Sequence, residues 1–167
     1  MKKPNSLRAH LTAALPELAR DPDALDIYVT GGSLAMRCGG NLGFEQRYTM
    51  HVVLLDYRGE PEQLFLPLSL WLRHHQGDLL LDPQGAQENI RFQVDLRDNQ
   101  AVDVALNFPV TEAVDVLPDD SGGYRLSVRE EAPFPDQPPL SDPLSLLRQI
   151  WAPGGEQATF LTGHPGE

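Results

Sequence analysis

The stretch FEQRYTMHVVLLDYRGEPEQLFLPLSLWLRHHQG, residues 44–77, places a long apolar strand directly before an apolar helix. Phe44–Tyr57 is rich in strand-forming residues, and its second half is apolar at consecutive positions, which predicts a central strand covered on both faces. Gly59 and Pro61 mark the start of a helix, and Gly77 marks its end. The stretch therefore predicts a core in which this helix packs on a sheet.

The run Leu64–Gln76 within this stretch is open to three interpretations: a membrane segment, a metal site or a core helix. A membrane-spanning helix needs about 20 apolar residues, and Arg73 interrupts the run well before that length. His74 and His75 are adjacent, so on a helix they point about 100° apart and cannot easily share one ion. We interpret the run as a core helix kinked at Pro67, with Arg73, His74 and His75 at its solvent-exposed end. Its apolar faces would come from Leu64, Phe65, Leu68, Trp71 and Leu72.

The residues before this stretch predict one helix and one hairpin. The helix is indicated by four leucines at steps of four, four and three, with Asn5 or Ser6 as N-cap and Pro16 kinking or ending it. In LDIYVTGGSLAMRC, residues 25–38, Gly31-Gly32 would form a two-residue turn between two strands. The leucines are Leu7, Leu11, Leu15 and Leu18.

The residues after this stretch predict three more strands. NIRFQVDLR and AVDVALNFPV form a second hairpin around the turn DNQ, and a weaker strand follows at 124–129. The resulting order, α-β-β-β-α-β-β-β, favours an α+β fold with a mixed or antiparallel sheet packed by two helices. We assign residues 1–130 to this domain.

Residues 131–167 differ in composition from the domain. EEAPFPDQPPLSDP contains five prolines in fourteen residues, which predicts an extended arm. A short amphipathic helix, PLSLLRQIW, follows with an apolar stripe at helical spacing. The stripe is a candidate subunit interface, and it could dock on its own domain or on a neighbouring subunit. It consists of Leu144, Leu147, Ile150 and Trp151.

The charge balance limits the possible partners. Thirteen Lys and Arg against 24 Asp and Glu give a net charge of −11, which disfavours sequence-independent binding to nucleic acid and to anionic lipid. The single cysteine, Cys38, cannot form an internal disulfide or by itself a structural zinc site. The first residues lack the apolar region of a secretory signal.

The catalytic and metal motifs that we tested are weak. Ser33 does not lie in G-x-S-x-G, and GGNLG (residues 39–43) lacks the Walker lysine. Cys38 and His51 would make a nucleophile–base pair only if the fold brought them together, so a hydrolase ranks last. Asp95, Asp98 and Asp103 lack the ligand spacing of an EF-hand, and we interpret them as turn and surface residues. We predict no enzyme, no cofactor and no metal.

Three stretches together resemble the tail completion protein R (GpR) family of temperate contractile-tailed phages. They are KPNSLRAHLTAALPEL, RYTMHVVLLDYRGEPEQLFLPLSLWLRHHQGDLL and FQVDLRDNQAVDVALNFPVTEAVDV, and they cover roughly residues 2–117 in order. The matching positions are Tyr48, Thr49, Asp56, Pro61, Leu64, Phe65, Pro67, Trp71, Leu72, Arg73, His75 and Gln76, then Val94, Asp95, Asp103, Thr111 and Glu112.

The resemblance implies a structural role in the virion. Such proteins complete the tail at its head-proximal end and look like tail terminators, which are small α/β domains assembled as a six-fold ring. The implied partners are further copies of the chain, the tail tube or sheath protein and a head–tail connector. The implied location is the virion tail, reached from the cytoplasm of the bacterial host, and prophages or tail-like particles are also possible sources.

A ring through which DNA passes suggests a role for the acidity. A negative lumen would repel phosphates, and the candidate acids are Asp119, Asp120, Glu130 and Glu131. Normal DNA ejection after neutralising these acids would argue against that role, and solubility alone is the alternative explanation. The rival function is a small acidic adaptor or inhibitor that binds a basic protein.

Overall fold

The computed structural model describes residues 1–36, 42–97 and 101–131. These residues form an α+β fold, as predicted, and the sheet is antiparallel throughout. The helices are α1 (Lys3–Ala14), α2 (Pro16–Arg20), α3 (Pro61–His75), α4 (Gly77–Leu81) and α5 (Pro83–Asn89). The strands are β1 (Leu25–Met36), β2 (Phe44–Tyr57), β3 (Arg91–Leu96), β4 (Val102–Pro118) and β5 (Tyr124–Val128).

The sheet is built around the long central pair of β2 and β4. Its order is β1-β2-β4-β3, and β5 pairs with the far end of β4. Val114 pairs with both Phe44 and Val128, so β5 lies on the same side of β4 as β3. Since side chains alternate between the two faces of a strand, the even-numbered residues of β4 face the core.

The two long helices, α1 and α3, cover one face of the sheet, and the core lies between them and the strands β2 and β4. Trp71 of α3 lies against Phe108 of β4, with 6.5 Å between ring centroids. Burying each large apolar side chain contributes roughly 1.5–3 kcal/mol, so this layer dominates the stability of the fold. The most buried core residues are Leu7, Leu11, Leu18, Met50, Val52, Leu54, Leu64, Trp71, Val104, Phe108 and Val110.

The predicted hairpin at Gly31-Gly32 is wrong. β1 is one strand that continues through both glycines and pairs with β2 along its length. Thr30 and Ser33 are three positions apart, while their partners on β2, Thr49 and Arg47, are only two positions apart, so one extra residue is absorbed as a bulge. Gly31 has a φ of +62°, a conformation that glycine adopts without steric cost.

The prediction that β2 is covered on both faces is also wrong. From Tyr48 to Leu54 its even-numbered residues are buried under the helices. On the other face Thr49, His51 and Val53 are half-buried and Leu55 is exposed. On that face Tyr28 stacks on His51 at 4.7 Å between ring centroids. The consecutive apolar run reflects a face shielded by neighbouring side chains, not a second helical layer.

The predicted N-caps of the first helix are wrong, whereas the predicted break near Pro16 is confirmed. α1 begins at Lys3, with Lys2 at the N-cap, so the predicted caps Asn5 and Ser6 are wrong. α1 ends at Ala14, two residues before Pro16, which agrees with the predicted break, and Pro16 starts the short helix α2, which was not predicted. Pro67 lies inside α3, where its carbonyl accepts a hydrogen bond from His10 Nε2 at 3.0 Å.

The edge of β4 between β3 and β5 explains how a proline fits in a central strand. β3 pairs with β4 as far as Asn107, and β5 begins to pair at Val114. Pro109 lies between these points, where its missing N–H faces no strand. The N–H of Thr111, on the same edge, donates to Gln76 Oε1 at 3.0 Å. This short edge is therefore closed by a side chain instead of a strand.

Candidate assembly surface

The sheet is longer than the helical layer that covers it. The N-terminus of α1 lies over Glu112, but β4 continues to Pro118, about 20 Å further at the rise of a strand. Residues of four strands lie in one row across the sheet just past this limit: Met36, Phe44, Val114 and Val128. The end of the sheet therefore presents its core-type face beyond the helices.

This end of the sheet is apolar and exposed. Met36 is 71% exposed, Tyr124 65% and Leu126 64%. Val116 lies opposite Leu126, and Phe44 opposite Met36, so the exposed side chains share one face. A contiguous apolar patch on a protein surface commonly marks an interaction site. We call this patch the terminal apolar face; it consists of Leu34, Met36, Phe44, Val116, Tyr124 and Leu126.

A buried carboxylate marks the boundary between the core and this face. Glu112 is only 1% exposed, and its Oε1 accepts the backbone N–H of Lys2 at 2.7 Å and of Lys3 at 2.6 Å. The first backbone N–H groups of a helix have no intrahelical partner, and a negative charge there also suits the helix dipole. Glu112 therefore caps α1 from a strand more than a hundred residues away in sequence.

The side chain of Lys3 joins three parts of the chain at the same place. Lys3 is only 6% exposed. Its Nζ donates to Gln76 Oε1 at 3.0 Å, to Glu131 Oε1 at 2.7 Å and to the carbonyl of His75. Gln76 is itself buried and donates to Thr111 Oγ1 at 3.0 Å. These contacts fix the start of α1 to the end of α3, to β4 and to the residues that follow β5.

Three further buried oxygens belong to this polar region. Gln46 Oε1, Tyr48 Oη and Glu112 Oε2 have no partner in hydrogen-bond geometry within residues 1–36, 42–97 and 101–131. Burial, and secondarily the charge of Glu112, raises the pKa of the Tyr48 hydroxyl well above its usual value. Because that phenol stays neutral, Glu112 does not face a second negative charge.

The end of α3 is less exposed than the sequence indicated. Arg73 and His74 are in solvent, as predicted, but His75 is half-buried and Gln76 is buried. The His75 ring lies 4.8 Å from that of Trp71. Burial, with smaller contributions from the charges of His74, Lys3 and His10, lowers the pKa of His75 to about 4.

We expect His75 to make the fold less stable as the pH falls from about 6.5 to about 4. In that range the unfolded chain binds a proton at this histidine and the folded chain does not, so protonation favours unfolding. The melting temperature of the wild type should fall relative to that of His75→Gln across this window. His51→Gln, on the sheet face opposite the helices, serves as the control. Parallel pH profiles for wild type and His75→Gln would show that the burial of this ring has no linkage to stability.

The four candidate lumen acids are exposed, but they do not lie together. Asp119 and Asp120 lie in the turn between β4 and β5, whereas Glu130 and Glu131 follow β5 at its opposite end. Glu131 is moreover paired with Lys3. The acidic lumen stays a prediction.

Asp95 and Asp103, two of the other candidate residues, lie side by side on neighbouring strands. Asp103 pairs with Arg97 and accepts the N–H of Asp56 at 2.9 Å, while Asp95 lies opposite it in the sheet. Hydrogen bonds from Asp56 and Arg97 lower the pKa of Asp103. Asp103 stays at the surface, as interpreted, where it is held in an ion pair.

Several predicted residues cannot be placed. Cys38, Asp98 and the stripe Leu144, Leu147, Ile150 and Trp151 lie outside the described residues. The Cys38–His51 pair therefore stays untested, and on the described side His51 contacts Thr30 Oγ1 at 2.7 Å.

No group of three or more His, Cys, Asp or Glu side chains in residues 1–36, 42–97 and 101–131 is arranged to hold a metal ion. Among the helices within those same ranges, none has the length and apolarity to cross a bilayer.

Comparison with known proteins places the chain in a family. The profile described as P2 phage tail completion protein R (GpR) matches residues 1–133. The chain belongs to the GpR family. Tail completion protein R of Escherichia phage P2 is 33% identical over 146 residues, which cover 87% of this chain and 92% of that protein. No solved structure matches significantly. The GpR match ends close to the predicted boundary between the domain and the arm.

Sequence reasoning missed the main features of this surface. Glu112 was among the positions that resemble the GpR family, but no local signal shows that it caps α1. The terminal apolar face has a partial signal, since YRLSV and the end of β4 alternate in polarity. Alternation predicts a strand with an apolar face, but not whether a helix covers it.

Proposed function

We propose that this GpR protein completes a phage tail at its head-proximal end, as a hexameric ring that caps the tail tube and joins it to the head connector. Membership of the GpR family supports a structural role in tail completion. The observation that carries the ring is the terminal apolar face, because a surface of this kind is stabilised by contact with another protein surface.

A ring requires two different surfaces on each subunit. In a head-to-tail interface one surface of a copy contacts another surface of the next, and a suitable rotation closes the ring. The terminal apolar face lies at one end of the sheet, and the described residues at the other end differ from it, because there the exposed Leu96 lies beside an exposed ion pair of Arg97 and Asp103. This asymmetry favours head-to-tail contact over a symmetric dimer.

The proposed partners are further copies of the chain, the tail tube or sheath protein and a head–tail connector. The protein would act in the virion tail after assembly in the cytoplasm of the host. Its role would be mechanical, because completing a tail requires binding surfaces and no bond making.

Mass measurement and imaging test this function. We expect the purified full-length protein to give a native mass of six copies of the 18.5 kDa chain and rings by negative-stain microscopy. Mixed with tail tubes that lack it, the protein should bind at one end only. A protein that stays monomeric at high concentration and leaves tube ends bare would contradict the proposal.

A further inference from the structure

The described chain ends beside the terminal apolar face. β5 runs from Tyr124 back to Val128, which pairs with Val114, and Arg129 then donates its N–H to the carbonyl of Ala113 at 2.8 Å. Glu131 is held there by Lys3. The residues that follow therefore start from a fixed point at the inner border of the face.

The next residues set how far the chain can reach from that point. Residues 132–143 include five prolines. A proline-rich segment extends by about 3.1 Å per residue, so these twelve residues reach roughly 37 Å. The terminal apolar face extends only about 20 Å beyond Glu112, at the rise of a strand. An arm of that length can extend past the face of its own subunit and reach a neighbouring copy.

The segment after the arm has the chemistry that the face requires. Its apolar stripe of Leu144, Leu147, Ile150 and Trp151 would be one side of a short helix. Residues 144–151 contain one charged side chain, Arg148, which on a helix would border the stripe next to Leu144. The face offers Met36 and Leu126, flexible apolar side chains suited to a bulky indole.

We propose that the stripe of one copy docks on the terminal apolar face of the next copy. The proposal rests on the ring of the proposed function and names the contact that closes it. Each subunit gives one arm and receives one, which is the head-to-tail arrangement that a closed ring needs. The contact would remove from water the terminal apolar face, which is exposed in the single chain, together with the apolar side chains of the stripe.

Cross-linking in the full chain tests the contact. Cys38 is first replaced by serine, and Leu126→Cys is combined with Leu147→Cys. A short bis-maleimide is used because it tolerates spacings that a disulfide does not. We expect denaturing gels to show a ladder of dimers, trimers and longer species in place of the monomer. Adding Trp151→Asp should abolish the ladder, and the control pair Leu81→Cys with Leu147→Cys, whose Leu81 is 67% exposed on α4, should give none.

Three other cross-linking results would contradict docking of the stripe on the next copy. A faster-migrating monomer would show that the arm docks on its own subunit, and a product that stops at the dimer would show a reciprocal exchange; both overturn the proposed contact. An absent cross-link overturns it as well. The native mass of the wild type, measured in parallel, separates the two proposals: a hexamer without cross-links removes only the arm contact, and a monomer removes the ring.

Discussion

Replacing Glu112 with alanine is expected to lower the free energy of unfolding by about 3 kcal/mol, because it breaks a buried charged network by removing one partner. Two backbone N–H groups at the start of α1 would lose their acceptor. The Lys3 side chain would remain buried beside them. Urea denaturation followed by circular dichroism measures the effect as a shift in midpoint at constant slope.

Two further variants give this prediction its controls. Glu130→Ala removes an exposed carboxylate a few residues beyond β5 and should change the unfolding free energy by less than about 0.5 kcal/mol. Glu112→Gln keeps an acceptor for the helix but removes its charge, so we expect an intermediate loss. If Glu112→Ala unfolds at the same urea concentration as Glu130→Ala, the carboxylate does not fix α1 to the sheet.

Replacing Leu126 with aspartate is expected to weaken association between copies about 30-fold, the effect of losing roughly 2 kcal/mol at an interface hot spot. Leu126 lies on the terminal apolar face and is 64% exposed in the single chain. A charge there would be desolvated on assembly without a partner. Native mass measured over a dilution series gives the change in association, and the melting temperature of the unassembled chain should stay near the wild-type value.

Leu81→Asp is the matched control for this effect. It introduces the same charge at a leucine of similar exposure on α4, away from the terminal apolar face. We expect it to assemble like the wild type. Equal assembly of Leu126→Asp and wild type would remove the terminal apolar face from the interface, whereas equal weakening by both variants would point to net charge as the cause.

Elements with a strong local pattern were predicted well from the sequence. The bounds of β2, Phe44–Tyr57, are those predicted, and α3 starts at Pro61 as expected. Gly31-Gly32 misled the prediction because a glycine pair that suits a tight turn suits a bulge equally well. The pairing of β1 along β2 decided between the two, and pairing is not a local property.

The site was predicted much less well than the fold. The residues with recognisable chemistry, such as His51, His74 and the aspartates, are distributed over separate surfaces of the described chain. The features that define the candidate surface are ordinary residues in special places: Glu112 under a helix start, Lys3 buried between helices, and Leu126 past the end of the helical layer.

The sequence by itself determined the α+β class, the central strand, the core helix and the resemblance to the GpR family. The strand and the helix depend on the periodicity of residues close together in the chain, and the fold class depends on the order of such elements. The resemblance depends on three stretches that match in order. Only the tertiary structure decided which apolar residues stay uncovered and which charges are buried. Both depend on how far β4, a seventeen-residue strand, extends beyond α1, a twelve-residue helix that begins about a hundred residues earlier in the chain. Burial is set by the relative lengths and positions of elements that meet in space, and no local pattern of residues specifies that comparison.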